Sequence, residues 1–160
     1  MGANELSMQL WRERELLELL LFKLEEQELL LAAGRSRWLH FATREIEQVL
    51  EGLRSASIAR VVEADALAEE WHAPEGAGLR QLIDSAPKGA WRDVLTEHLN
   101  ALIRLTDEIG RLREATSEQL RAVMRATQET IAGLGDDTGE YTTHGERARE
   151  NSARIIDTEM

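Results

Sequence analysis

Cysteine is absent from this chain of 160 residues, and proline and aromatic residues are scarce. Without cysteine there are no disulfides and no thiolate metal sites, which excludes a secreted disulfide scaffold. The shortage of aromatic and β-branched residues, beside abundant leucine, alanine and glutamate, favours long helices over strands. Long apolar runs are also missing, because Glu18 and Lys23 interrupt the run 16–24, which is too short to span a bilayer. We therefore expect an all-α protein without direct membrane insertion.

Positive charge is in deficit as well. Lysine and arginine together number 19 against 30 aspartates and glutamates, and the formal net charge is −11. A nucleic-acid partner requires a basic stripe that displaces counterions from the phosphates, and docking on an anionic membrane surface requires positive charge too. No basic segment precedes an apolar stretch at the N-terminus, so a secretory signal is not indicated. We expect a cytoplasmic protein that binds no nucleic acid.

Leucines at coiled-coil spacing predict three long helices, at about 4–33, 36–71 and 90–134. Gly34 favours a stop between the first two helices. A single continuous helix stays open as an alternative, at a cost of about 1 kcal/mol for the internal glycine. In the segment 72–89, glycines and prolines indicate a loop with a short helix.

The third helix decides the predicted architecture. At 1.5 Å per residue it would be roughly 65 Å long, and a helix of that length needs partner helices of similar length. We therefore predict an elongated antiparallel three-helix, coiled-coil-like bundle over residues 1–135. Residues 136–160 are rich in Asp, Thr, Glu and Gly, so they bury too little apolar surface to offset the entropy of ordering. This second region is predicted to be a flexible C-terminal tail.

Polar residues interrupt the apolar seams at a few positions. Glu13 and Gln27 stand where the seam of the first helix calls for apolar residues, and His98 stands between Leu95 and Leu102 on the third. Helical spacing places His98 beside those leucines, so we interpret it as a core-edge histidine rather than as a ligand.

Residues with catalytic or metal-binding chemistry do not form a recognisable set. The four histidines are far apart in the sequence: His40, His72, His98 and His144. A di-iron bundle needs two Glu-x-x-His pairs, and the chain has one, Glu69 with His72. Carboxylates away from the apolar stripes are typical of a solvated helix face rather than of acid–base catalysis. We expect no enzyme activity, no cofactor and no metal.

Three stretches of the chain together form a recognisable pattern. The first is ELSMQLWRERELLELLLFKLEEQ at 5–27, followed by AAGRSRWL at 32–39. The second is Ala86-Pro87 followed by WRDVL at 91–95 and by His98, and the third is YTTHG at 141–145. These stretches resemble the FlgN family of flagellar chaperones. The resemblance spans nearly the whole chain, with the three stretches in the family's order.

This resemblance implies a cytoplasmic type III export chaperone. Members of the family bind the C-terminal helical segments of hook-filament junction (hook-associated) proteins, prevent their premature assembly and deliver them to the flagellar export gate. The resemblance also implies a three-helix, coiled-coil-like fold without cofactor or catalysis. The C-terminal third would bind the substrate protein, and the tail tyrosine, Tyr141 here, would contact the export gate.

The third helix offers a candidate face for substrate binding. Its apolar residues follow steps of four from Leu112 through Thr116 to Leu120 and Met124, which unwinds a supercoil and lets the face drift from the seam. We predict a substrate-binding set on this face and in the tail: Leu120, Val123, Met124, Ile131, Leu134, Ile155 and Ile156. Two alternatives stay open, that the stripe is intramolecular core and that the protein is a generic coiled-coil scaffold or adaptor, monomeric or homodimeric.

Overall fold

The structure, a computed structural model, describes the backbone of residues 2–156 and the side chains of residues 2–135. This part of the chain contains four α-helices, a short 3-10 helix and no strand. The helices are α1 Gly2–Ala32, α2 Leu39–Glu70, α3 Leu79–Ser85 and α4 Ala90–Ile156, and the 3-10 helix Ser36–Trp38 leads into α2. The predicted all-helical class is confirmed.

The helix α4 does not end at Leu134 as the sequence predicts. It continues through Gly133 and Gly135 to Ile156. A glycine within a helix costs about 1 kcal/mol relative to alanine, but it keeps its backbone hydrogen bonds, so two glycines weaken a helix without ending it. The side chains of residues 136–156 lie outside the described part of the chain, and the assignment of residues 136–160 as a mobile binding tail stays a prediction.

Gly34 ends α1 and separates it from α2. Its φ of +66° is in the left-handed region. The N–H of Arg35 donates to the carbonyl of Leu30 at 2.8 Å, and the N–H of Gly34 donates to the carbonyl of Leu31 at 3.1 Å. This pair of bonds is a Schellman motif, which uses the last free carbonyls of the helix. The same left-handed position at the end of α2 is filled by His72, with a φ of +54°.

Ion pairs between α1 and α2 show that the two helices pack antiparallel. Glu13 pairs with Arg60 at 2.8 Å, and further along α1 Lys23 pairs with Glu45 at 2.7 Å. Residue numbers therefore rise along α1 as they fall along α2. The hydrogen bond between the second pair raises the pKa of Lys23 and lowers the pKa of Glu45.

The chain divides into two compact units between Ser117 and Glu118, and the core described here belongs to the first. It consists of two clusters. One contains Ala3, Leu6, Leu10, Leu67, Ala68, Ala77, Leu82, Ile83 and Leu95. The other contains Leu20, Leu24, Ile46, Val49 and Ile109. Both clusters draw on α1, α2 and α4, and α3 adds to the first. Each buried leucine contributes about 1.5–3 kcal/mol.

Glu13 occupies the seam of α1 between the two clusters. The sequence marks it as a polar residue at an apolar position, and the structure shows that it is buried. Its carboxylate accepts a hydrogen bond from Nε of Arg60 at 2.9 Å. A buried carboxylate is tolerated when a cation is paired with it, so this residue has a structural role in the contact between α1 and α2.

His98 joins α4 to α1 inside the first unit, with a side chain that is only 1% exposed. The sequence predicts a core-edge histidine, and the structure buries it completely. Its Nδ1 lies 3.3 Å from Nη1 of Arg14, its Nε2 lies 3.0 Å from Oγ of Ser7, and its ring meets Trp11 edge-on at 5.2 Å. An arginine can only donate, so Nδ1 accepts and Nε2 carries the proton that it donates to Ser7. The buried imidazole is therefore neutral.

The burial of His98 predicts that acid destabilises the first unit. Burial, and secondly the Arg14 guanidinium, lower the pKa of His98, with Glu97 acting in the opposite direction. The unfolded chain then binds this proton more readily than the folded chain. The stabilisation is complete above the unfolded-state pKa of about 6.5 and is lost as pH falls from there through the folded-state pKa. Urea unfolding between pH 7 and pH 5 should show a steeper loss of stability in the wild type than in His98→Gln, which keeps a donor and an acceptor but does not titrate. Equal slopes would show that other groups cause the acid sensitivity.

Alanine substitution at two glycines should change the free energy of unfolding in opposite directions. A Cβ at Gly34 or at Gly110 would meet no atom within 4 Å, so the two positions differ only in their backbone conformation. Gly34→Ala forces a left-handed φ on alanine and should lower the free energy of unfolding by about 1 kcal/mol. Gly110→Ala lies within α4 and should raise it by about 0.5–1 kcal/mol. Chemical denaturation measures both, and a destabilised Gly110→Ala would contradict the regular helix at that position.

Candidate functional site

The predicted substrate-binding residues whose side chains are described all lie exposed on α4. They are Leu120, Val123, Met124, Ile131 and Leu134, with exposed fractions between 41% for the first and 64% for Ile131. Steps of three and four residues place them along one face of the helix, over roughly 21 Å at 1.5 Å per residue. We call this surface the α4 stripe. It belongs to the second unit, which begins at Glu118.

The predicted members in the tail are not brought to this surface by anything the structure describes. Ile155, Ile156 and Tyr141 lie where α4 has a backbone path but no described side chains. Their predicted roles in substrate binding and in contact with the export gate stay predictions.

The α4 stripe is apolar and nearly neutral in charge. Thr127 lies in its middle, but its hydroxyl donates to the carbonyl of Val123 at 2.9 Å and so offers little hydrogen bonding to a partner. The charged residues of the same segment fall on the other side of the helix and balance in sign: Glu118, Arg121, Arg125 and Glu129. Recognition at this surface therefore depends on apolar contact more than on charge.

The α4 stripe begins where burial along α4 ends. Ile109 and Thr116 are buried, and from Leu120 onward the described residues of the same periodic face are exposed. This change follows the steps of four that the sequence shows between Leu112 and Met124. The apolar periodicity of α4 thus continues past its last buried residue, and the side chains beyond it are in solvent.

The outer face of α1 is a second exposed apolar surface, and sequence reasoning missed it. Its apolar members are Met8, Trp11, Leu19, Phe22 and Leu29, all exposed. The sequence interpretation followed the inner leucine seam of α1 and assigned the remaining faces to solvent. The missed signal is the apolar recurrence at multiples of seven, at positions 8, 22 and 29, which marks a face of its own although position 15 is a glutamate.

A groove in the first unit is mostly apolar and has a volume of about 540 Å³. Its leucine walls are Leu10, Leu17, Leu50, Leu53, Leu79, Leu99 and Leu102. The Glu13–Arg60 ion pair also lines it, and because that carboxylate is bound to the guanidinium it is not poised as a general base. The buried imidazole of His98 likewise uses both nitrogens in hydrogen bonds. The residues brought together here form a packing surface rather than an acid–base pair.

The described residues contain neither a metal-binding cluster nor a membrane-spanning helix. Within them, no group of three or more His, Asp or Glu side chains is placed to hold a metal ion. In the same part of the chain, no helix combines the length and the apolar character needed to cross a membrane.

Comparison with known proteins gives one match. The family described as FlgN protein matches residues 1–151. No curated protein and no solved structure matches the chain. The match covers the opening stretch, the residues around His98 and the Tyr141 segment on which the resemblance was based. The chain therefore belongs to the FlgN family, the flagellar export chaperones.

Proposed function

We propose that this chain is a cytoplasmic chaperone for hook-filament junction proteins of the flagellum. It binds their C-terminal helical segments along the α4 stripe, prevents their premature assembly and delivers them to the export gate, without a cofactor and without catalysis. Membership of the FlgN family supports the chaperone role. The observation that carries the choice of surface is the exposure of the α4 stripe directly after the buried Thr116.

The α4 stripe suits recognition of an amphipathic helix. A continuous apolar face on a soluble protein is typical of an interaction surface, and a helix that lays its own apolar face against it removes both from water. Four side chains of the stripe, Leu120, Val123, Met124 and Ile131, would together contribute about 6–12 kcal/mol gross. Ordering a flexible substrate offsets a good part of that, which keeps binding reversible. A delivery chaperone requires reversible binding.

The rest of the chain has supporting roles in this proposal. In the first unit α1 packs with α2 and with the start of α4, which supports a scaffold role for this unit. Ile155 and Ile156 add apolar contacts to the substrate, and Tyr141 contacts the export gate. These roles rest on the family resemblance and on the apolar character of the residues.

Substitution within the α4 stripe tests the proposed function. The double variant Met124→Ser with Ile131→Ser removes two side chains that are 62% and 64% exposed, so the fold should be unaffected. Its affinity for the C-terminal segments of junction proteins should fall at least about tenfold, which titration calorimetry with the full-length chain measures. Ile58→Ser on α2 is the matched control, because this residue is 69% exposed and lies in the other unit.

Three outcomes would count against this proposal. Undiminished binding in the double variant would place the substrate elsewhere, and no binding by the wild type would remove the junction proteins as partners. A concentration-dependent homodimer in sedimentation that the double variant abolishes would favour the coiled-coil scaffold.

Tyr141→Ala should leave substrate affinity unchanged and reduce export of the substrate; a loss of affinity instead would assign Tyr141 to the substrate site.

A further inference from the structure

The outer face of α1 gathers five exposed apolar side chains in one narrow arc. Met8, Trp11, Leu19, Phe22 and Leu29 fall within roughly 80° of one another at 100° per residue. Single exposed apolar residues are normal on a protein surface, but an aligned row of five that includes two aromatics is not. We call this surface the outer α1 face. It belongs to the first unit and shares no residue with the α4 stripe.

The opposite side of α1 already has its partners. Leu6, Leu10, Leu20 and Leu24 on that side are buried in the two core clusters with α2 and α4. The inner seam supplies the core contacts of α1, and the outer α1 face stays exposed although Trp11 touches His98 at its edge. A helix that is apolar on two opposite sides is typical of a helix with a second partner.

Carboxylates lie among the apolar residues of this face. Glu15, Glu18 and Glu25 are exposed, and none of the three makes a hydrogen bond or ion pair with the described residues. The bases of the same stretch offset part of this charge. Lys23 is paired with Glu45, but Arg12 is exposed and Arg14 keeps its charge, because the His98 to which it is bonded is neutral. Three carboxylates against two guanidiniums leave the outer α1 face slightly negative as well as apolar.

A recess at the Leu29 end of the face extends both properties. It has a volume of about 500 Å³ and is lined by Leu21, Glu25, Glu28, Leu29, Glu108, Arg111 and Leu112. Three carboxylates against one guanidinium leave it negative. A lysine or arginine side chain fits such a recess, with its aliphatic stem on the leucines and its charge beside the glutamates.

Trp11, the largest side chain of the outer α1 face, is held in place by contacts within the protein. The guanidinium of Arg14 lies 4.1 Å from the centre of the Trp11 ring, and the buried imidazole of His98 meets the ring edge-on. A tryptophan fixed from two sides loses little entropy on binding, and tryptophan is among the residues that dominate binding energy at interfaces.

Charge decides which partner fits. A second copy of this chain would bring the same glutamates and a net charge of −11 against the face, and nucleic acid or an anionic membrane would be repelled in the same way. We propose that the outer α1 face docks a basic amphipathic helix of a partner protein, whose apolar stripe covers Trp11 and Phe22 and whose lysines or arginines meet Glu15, Glu18 and Glu25. This second docking surface is independent of the proposed substrate site.

Synthetic peptides and the full-length protein test the proposal. One peptide is an amphipathic helix with a leucine stripe flanked by lysines. The second has the same residues scrambled so that no stripe forms, and the third has glutamate in place of lysine. The first should bind, with an affinity that falls as salt rises, and the other two should bind at least about tenfold more weakly. Equal binding of the first two peptides would overturn the proposal, because net charge alone would then explain it.

Matched variants locate the binding. Phe22→Ser, and separately Glu18→Lys, should each lower the affinity for the lysine peptide at least about fivefold. Ile58→Ser and Glu47→Lys on α2 should leave that affinity unchanged. All four residues are exposed, so circular dichroism should show the same thermal midpoint for each variant. An equal loss in the α2 variants would remove the outer α1 face as the site.

The proposals for the two surfaces can be tested separately. Met124→Ser with Ile131→Ser should not affect the lysine peptide, and Phe22→Ser should not affect binding of the junction-protein segments. If the stripe variant alone abolished peptide binding, the peptide would be occupying the α4 stripe and the second docking surface would be wrong, with the proposed function untouched.

Discussion

The first unit depends on the inner seam of α1, because both of its core clusters contain leucines from that seam. Leu6 and Leu10 serve one cluster, and Leu20 and Leu24 serve the other. Between them the seam carries Glu13, whose buried carboxylate is acceptable only because Arg60 of α2 is paired with it. The apolar residues supply most of the stabilisation, and the ion pair adds a geometric requirement, since one alignment of α1 with α2 brings the two charges together.

The same rule applies between α1 and α4, where the matching group is neutral. His98 is buried against Ser7 and Arg14, and its two ring nitrogens have different neighbours, one donor and one acceptor. A shift of α4 by one residue would separate these partners and leave buried polar atoms unpaired, at a cost of about 1–3 kcal/mol each. The Glu13–Arg60 pair thus fixes the alignment of α1 with α2, and the His98 contacts fix the alignment of α1 with α4. Leucines alone would allow several alignments.

Exposed apolar surface in this protein has two chemical kinds. The α4 stripe is nearly neutral and exposed, so it suits a partner recognised by shape and apolar contact. The outer α1 face carries unpaired glutamates and a fixed tryptophan, so it suits a partner that brings positive charge. A chaperone that hands over its cargo must engage more than one protein, and two surfaces of different chemistry would let those partners be distinguished.

The sequence by itself determined the helical class, because leucine periodicity acts within a few residues of chain. It favoured an end of α1 at Gly34 but left one continuous helix open, and the left-handed backbone at that glycine in the structure decided between them. It also indicated the α4 stripe through the steps of four around Thr116. It did not determine where α4 ends, since helical glycines carry a cost that sequence alone cannot weigh. Only the tertiary structure decided that α1 has a second, exposed apolar side, that Glu13 has Arg60 as its partner, and that His98 lies in the core as a neutral imidazole. Each of those depends on which distant residues meet, and local pattern carries no information about that.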